Sequence, residues 1–364
     1  MTGVIIGAPL CIMYFLIKLY KIITNRNIKI SNILLLMGIL GVALFAAQIA
    51  PPFDWDLYRH YDEINRIRAW GLSYAWNESH YAHYIGATFL FYITSLTPWN
   101  ETLPFLTVFI ELFIYESVMS HYKDKISAQS EGICFFLFLV LSNMALAISG
   151  IRNVLAAILL SYAIFDFECV KKHFVFDFFI VAFAISIHPA SAFLLIVYII
   201  SYIPSLLVGS IISLCLLPIS INISNNLLGN DNIVVSSTAG LFNFYNNLQS
   251  ELDIRVLITS AILILLSIFV LLKLKRWIKF DRYLKYSLLY SLATIGMISQ
   301  GLIYSRMLYG LSLVYPILVA RNCCYTYDGS LSKLIYSYKW YCIIYCAGMF
   351  SFQGYELIRA ILIK

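Results

Sequence analysis

Long apolar runs separated by short basic turns set the pattern of this chain. Apolar residues dominate stretches near 3–20, 32–50, 102–120, 132–149, 151–168, 174–188, 189–203, 205–223, 254–272, 283–300, 302–320 and 336–357. Most approach the roughly 20 residues that a helix needs to cross a bilayer, and the shorter ones fit a locally thinned membrane. None alternates with the two-residue period of a barrel strand, so the runs predict helices. The expectation is one all-α, polytopic membrane domain over 1–364, with about 12 transmembrane helices.

Charge then assigns sides. Lys18, Lys21, Arg26 and Lys29 follow the first run. Lys123 and Lys125, Lys171 and Lys172, and the set Lys273, Lys275, Arg276, Lys279 and Arg282 mark further turns, and Arg321 and Lys333 mark the last. Basic residues collect on the inner side of a membrane, which puts the N-terminus outside. Two runs separate Lys125 from Lys171, four separate Lys172 from Lys273, and two separate Arg282 from Arg321. Every count is even, as inner turns require. Between Lys29 and Lys123 the count fails if both 84–96 and 102–120 cross. The first is short and ends at the interface-like pair Pro98-Trp99, so it is read as a re-entrant or interfacial segment on the outer side. Two long outer loops remain, 51–83 and 224–253.

Composition agrees. Of 364 residues 61% are hydrophobic and 12% charged, and mean hydropathy is +0.82; soluble domains carry about a quarter charged residues. The formal charge of +6 sits in the turns and gives no reason to expect nucleic acid. Basic residues follow the first apolar run rather than precede it, unlike a signal peptide, so that run is expected to stay. The eight cysteines fall in runs or toward the inner side. That argues against disulfides and fits a bacterial inner membrane.

Against this background three groups stand out. Arg152, in Ser149-Gly150-Ile151-Arg152-Asn153-Val154, separates two apolar runs. Arg306 lies in Tyr304-Ser305-Arg306-Met307, and His188 closes a short run at Ile187-His188-Pro189-Ala190-Ser191. An unpaired guanidinium in hydrocarbon costs several kcal/mol at least. The side assignment places all three at one depth near the outer face, with His188 in a depression because its helix is short. Two such arginines suit a diphosphate, since guanidinium offers planar bidentate donors at any accessible pH. Arginine can supply this charge without a metal, and no acid cluster typical of a metal site is seen; neither metal nor cofactor is expected. The competing readings are snorkelling to headgroups and pairing with Glu111 or Glu116. His188 is a candidate general base, or else a helix-end histidine bonded to backbone.

The loop 51–83 mixes acids, histidines and aromatic rings, among them Asp54, Asp56, Tyr58 and His60. Rings and polar groups together suit sugars, although a solvated loop at the headgroups has the same composition. Asp54 and Asp56 compete with His188 as bases.

The order of these features resembles the EpsG-like branch of the Wzy-type O-antigen and exopolysaccharide polymerases. There a Gly-Ile-Arg-Gln-x-Leu-Ala run precedes a His-x-Ser-Ala run. Here Gly150-Ile151-Arg152-Asn153-Val154-Leu155-Ala156 precedes His188-Pro189-Ala190-Ser191-Ala192, with an Asn for the Gln and one residue more before the serine. The resemblance implies a GT-C-like, metal-independent glycosyltransferase in the bacterial inner membrane with its site facing the periplasm. Its substrates would be undecaprenyl-diphosphate-linked oligosaccharide repeats. Partners would be membrane lipids and a chain-length regulator. In those terms Arg152 and Arg306, with Asn153, Asp56, Tyr58 and Tyr304, would bind substrate, and His188 or Asp54 would take the acceptor's proton. The alternatives are an O-antigen ligase and a flippase or transporter of the same lipid-linked sugar.

Overall fold

The computed structural model describes residues 30–49, 56–82, 84–122, 148, 150–171, 173–216, 219 and 281–297, and positions 304, 307, 310, 314 and 317. Every element among the described residues is helical. In chain order they are α1 (Ile30–Gln48), α2 (Asp56–Asn77), α3 (Ile85–Ser95), α4 (Thr102–Tyr122), α5 (Ile151–Phe165, extended by a π turn Asp166–Val170), α6 (Phe174–Ile187), α7 (Ala192–Ile200), α8 (Leu206–Leu214) and α9 (Arg282–Gly296). Helix α1 lies along α4, α4 along α5, α5 along α6, α6 along α3, and α3 along α2. On the other flank α7 and α8 pack on α9.

One end of this bundle is tied together by rings and charge. Tyr122 from α4 and Tyr283 from α9 both meet Phe165 of α5. The Glu168 carboxylate accepts from Tyr198 Oη at 2.5 Å and from Arg282 at 3.4 Å, and Arg282 sits 3.9 Å over the Tyr202 ring. The basic turn residues Lys171 and Arg282 therefore share this basic end, as the even counts of runs require. The chain leaves α5 through Lys171, whose left-handed φ of 58° closes the turn into α6.

Helices α6 and α7 form a hairpin. The first climbs away from the basic end for 14 residues, about 21 Å. A single 3-10 turn, Pro189–Ser191, then starts the return, and α7 brings Tyr198 back to Glu168. The segment Ile151–Val170 has 20 residues, about 30 Å, so the hairpin tip stops about 9 Å short of it.

Two helices among the described residues, Thr102–Tyr122 and Ile151–Val170, are long and apolar enough to cross a membrane. Shorter apolar helices include Ile85–Ser95 and Phe174–Ile187. The figure of about 12 crossing helices is thus not reached here, and the runs 3–20, 254–272 and 336–357, with all of 132–149 but residue 148, lie outside the described residues. Helix α3 has 11 residues, about 16 Å, which is half the hydrocarbon thickness.

The expected loop 51–83 is corrected by the structure: most of it is α2. Leu57, His60, Ile64 and Ile67 recur at helical spacing and are buried, while Arg59, Asp62 and Arg66 face outward with carboxylate–arginine pairs at 3.7 and 2.7 Å. Gly71 bends the helix at φ 80°, ψ −167°, a backbone that only glycine adopts readily.

Arg68 fastens α2 to the far end of α3. Its Nε donates to the carbonyls of Ser95 and Thr97, and its terminal nitrogens donate to Asn65 and Asn100. Those two carbonyls fall at the C-terminal turn of α3, where helices leave acceptors unsatisfied. Arg68→Ala is expected to lower stability by about 2 kcal/mol, read as an earlier thermal unfolding midpoint in detergent. An unchanged midpoint would show that this contact does not hold the two helices together.

Candidate functional site

The end of the bundle opposite the basic turns gathers the N-terminus of α5, the turn before α3 and the tip of the α6–α7 hairpin. Helix α5 begins at Gly150 with no side-chain cap and no acid in its first turn. Asn153 and Val154 already donate to Gly150 O, but the N–H groups of Ile151 and Arg152 precede the first intrahelical bonds. The positive end of a helix dipole points the same way. Anions are drawn to such a terminus, and Arg152 adds a full charge to it.

Arg152 is half-buried, and aromatic rings hold it. Its guanidinium carbon lies 4.2 Å from the centre of the Tyr81 ring and 5.8 Å from that of Tyr84. Such contacts stabilise a cation by about 0.5–2 kcal/mol. Among the described residues no carboxylate pairs with Arg152, and its buried Nε meets no hydrogen-bond acceptor. Neither Glu111 nor Glu116 neutralises it. A ring face supports the charge without consuming an N–H donor.

His188 sits at the hairpin tip, 5% exposed. Its Nδ1 accepts from Ala190 N–H at 3.2 Å, and its carbonyl accepts from the Ser191 hydroxyl at 2.8 Å. The imidazole thus caps its own turn and carries its proton on Nε2. Pro189 opens that turn, where its missing N–H costs nothing. The tip reaches the arginine through one short stretch. Tyr81 and Tyr84 face Arg152, while Gly86, two residues on, lies against Ser186 and Ile187.

The other sequence candidates scatter. Asp56 is exposed and pairs with Arg59 at 3.7 Å, and Tyr58 is 43% exposed on α2. Asn153 is half-buried beside Arg152. Tyr304 is wholly buried, with Met307, Val314 and Ile317 also inside. Met307 O accepts from Tyr290 Oη at 2.9 Å, which packs this stretch on α9. Asp54 and Arg306 lie outside the described residues.

Sequence reasoning missed two groups. His60 is buried on α2, and its Nδ1 is hydrogen-bonded to Tyr81 Oη at 3.0 Å. Burial, and then the charges of Arg152, His80 and Arg59, push the His60 imidazole well below its ordinary pKa, so it is neutral at physiological pH. Tyr81 is also buried, which raises its phenol pKa and keeps it protonated. The buried stripe through Leu57, His60, Ile64 and Ile67 was the available signal.

The described residues are all-helical, with two helices long and apolar enough to cross a membrane, and together they define a membrane protein. The model of the EpsG family matches residues 54–355, and the chain belongs to that family. No curated protein and no solved structure matches it. Membership assigns a polysaccharide-polymerase type of activity.

Proposed function

We propose that the chain joins undecaprenyl-diphosphate-linked oligosaccharide repeats into a surface polysaccharide at the periplasmic face of the bacterial inner membrane. The observation that carries this reading is Arg152, held by ring faces at an uncapped helix N-terminus with no carboxylate on it among the described residues. A diphosphate leaving group needs positive charge in place before the glycosidic bond breaks. Arg152 supplies it, assisted by Arg306 and by the amide of Asn153. The acceptor hydroxyl gives its proton to Asp54, or to His188 once its Nδ1 releases the Ala190 N–H. The growing chain then passes from its lipid diphosphate to the new repeat, releasing undecaprenyl diphosphate. Asp56 and Tyr58 contribute to the sugar groove, and the chemistry requires no metal.

Deleting the gene separates polymerase from ligase. Loss of a polymerase leaves the lipid anchor capped with a single repeat, whereas loss of a ligase leaves it uncapped. Surface polysaccharide resolved by length is expected to collapse to one repeat. An uncapped anchor, or an unchanged ladder of long chains, would contradict the proposal.

A further inference from the structure

Tyr81 is held on every side by bonds that have nothing to do with closing a helix. Its N–H donates to Ser79 Oγ at 3.2 Å, and its carbonyl accepts from Thr88 Oγ1 at 2.6 Å. The ring meets Phe91 edge-on, with centroids 4.7 Å apart. The preceding residue is tied too, since His80 N–H donates to Glu63 Oε1 on α2 at 3.1 Å. At the far end of the ring, Oη bonds His60 Nδ1. His60 itself packs against Phe91, with centroids 5.1 Å apart. The ring also meets His80, with centroids 4.9 Å apart, and it carries the Arg152 guanidinium 4.2 Å from its centre.

A guanidinium on a flexible stem loses several rotatable bonds when it grips a phosphate, and fixing it beforehand removes that cost. A carboxylate could fix it but would occupy the same donors that a phosphate needs. A ring face fixes the group and leaves the donors in place. The ring in turn needs an anchor, because a tyrosine that swings away takes the support with it. His60 provides the anchor as a neutral acceptor or donor, adding no negative charge that would repel a phosphate.

We infer that Tyr81 and His60 are positioning residues for Arg152, the ring holding the guanidinium and the imidazole holding the ring, so that Arg152 is preset to grip a diphosphate rather than a single phosphate. The inference rests on the reading of Arg152 as a diphosphate ligand. It is tested with the full chain in nanodiscs, by measuring the affinity for undecaprenyl diphosphate and for undecaprenyl monophosphate. The readout is the ratio of the two, which a general loosening of the fold would not shift.

Tyr81→Leu is expected to cut the preference for diphosphate by roughly 3- to 10-fold, and Tyr81→Trp, which keeps a ring face, to restore most of it. Tyr81→Phe and His60→Leu both remove the same bond while keeping the Tyr81 ring, so each should cost a similar, smaller factor. The double variant should add nothing to either. If Tyr81→Leu does not fold, the Phe and Leu pair decides alone. Full preference in Tyr81→Phe and His60→Leu, or additive losses in the double variant, would overturn the inference. Arg152→Ala serves as the reference. If it collapses the ratio while the Tyr81 and His60 variants leave it intact, only the positioning role falls. If Arg152→Ala itself keeps the ratio, the diphosphate reading falls with it.

Discussion

Arg152→Ala is expected to abolish long polysaccharide while leaving a folded protein in the membrane. Removing one preorganised charge from the site of a developing anion typically costs 10²- to 10³-fold in rate, about 3–4 kcal/mol of transition-state stabilisation. The contact with Tyr81 contributes only about 0.5–2 kcal/mol to the fold, and no ion pair among the described residues is broken with it. Function should therefore fall far more than stability. Arg152→Lys should not rescue, because an ammonium can sit over the ring yet lacks the planar, bidentate donors that match a diphosphate. The measurement is a length-resolved gel of surface polysaccharide beside an immunoblot of the membrane fraction. A long-chain ladder from either variant, at normal protein level, would remove Arg152 from its assigned role.

The second large effect is expected at Gly86, which joins the arginine wall to the hairpin tip. A Cβ built there would stand 2.8 Å from Ile187 N and 2.9 Å from Ile187 Cγ1, and closer still to the Ser186 hydroxyl. The serine can rotate away, but the backbone nitrogen cannot yield without moving the tip that carries His188. Overpacking of this kind costs about 1–3 kcal/mol. Gly86→Ala should thus lower the thermal midpoint and reduce polymer length together, and Ser186→Ala in the same chain should restore neither fully. Gly41, whose surroundings within 4 Å are open, is the control. If Gly86→Ala behaves like Gly41→Ala, then α3 and α6 do not meet as described, and Arg152 and His188 are not held around one segment.

Much of this was legible in the sequence because a bilayer imposes a simple rule on helix length and on the side taken by lysine and arginine. Helices α4 and α5 begin where the apolar runs begin, and the short run ending at His188 marks the shallow hairpin. Arg152 was conspicuous as a charge between apolar neighbours. Helix α2 was not, since its charged outward face hid the buried stripe of Leu57, His60, Ile64 and Ile67, and the segment read as a loop. The contacts of Tyr81 and Arg68 were also invisible. Tyr81 reaches an arginine 71 residues ahead of it, and Arg68 caps carbonyls across a turn; neither leaves a local pattern. His188 was legible as the end of a short run but not in its detail, because only the folded turn shows Nδ1 committed to Ala190.

The most direct test of the account is polymerisation in a defined system. The purified chain, reconstituted in proteoliposomes supplied with purified undecaprenyl-diphosphate-linked repeats, is predicted to yield products of two and more repeats and to release undecaprenyl diphosphate. The Arg152→Ala protein should bind the bilayer equally and yield neither. Movement of intact repeats across the bilayer with no new glycosidic bond would identify a transporter instead and would contradict the central claim.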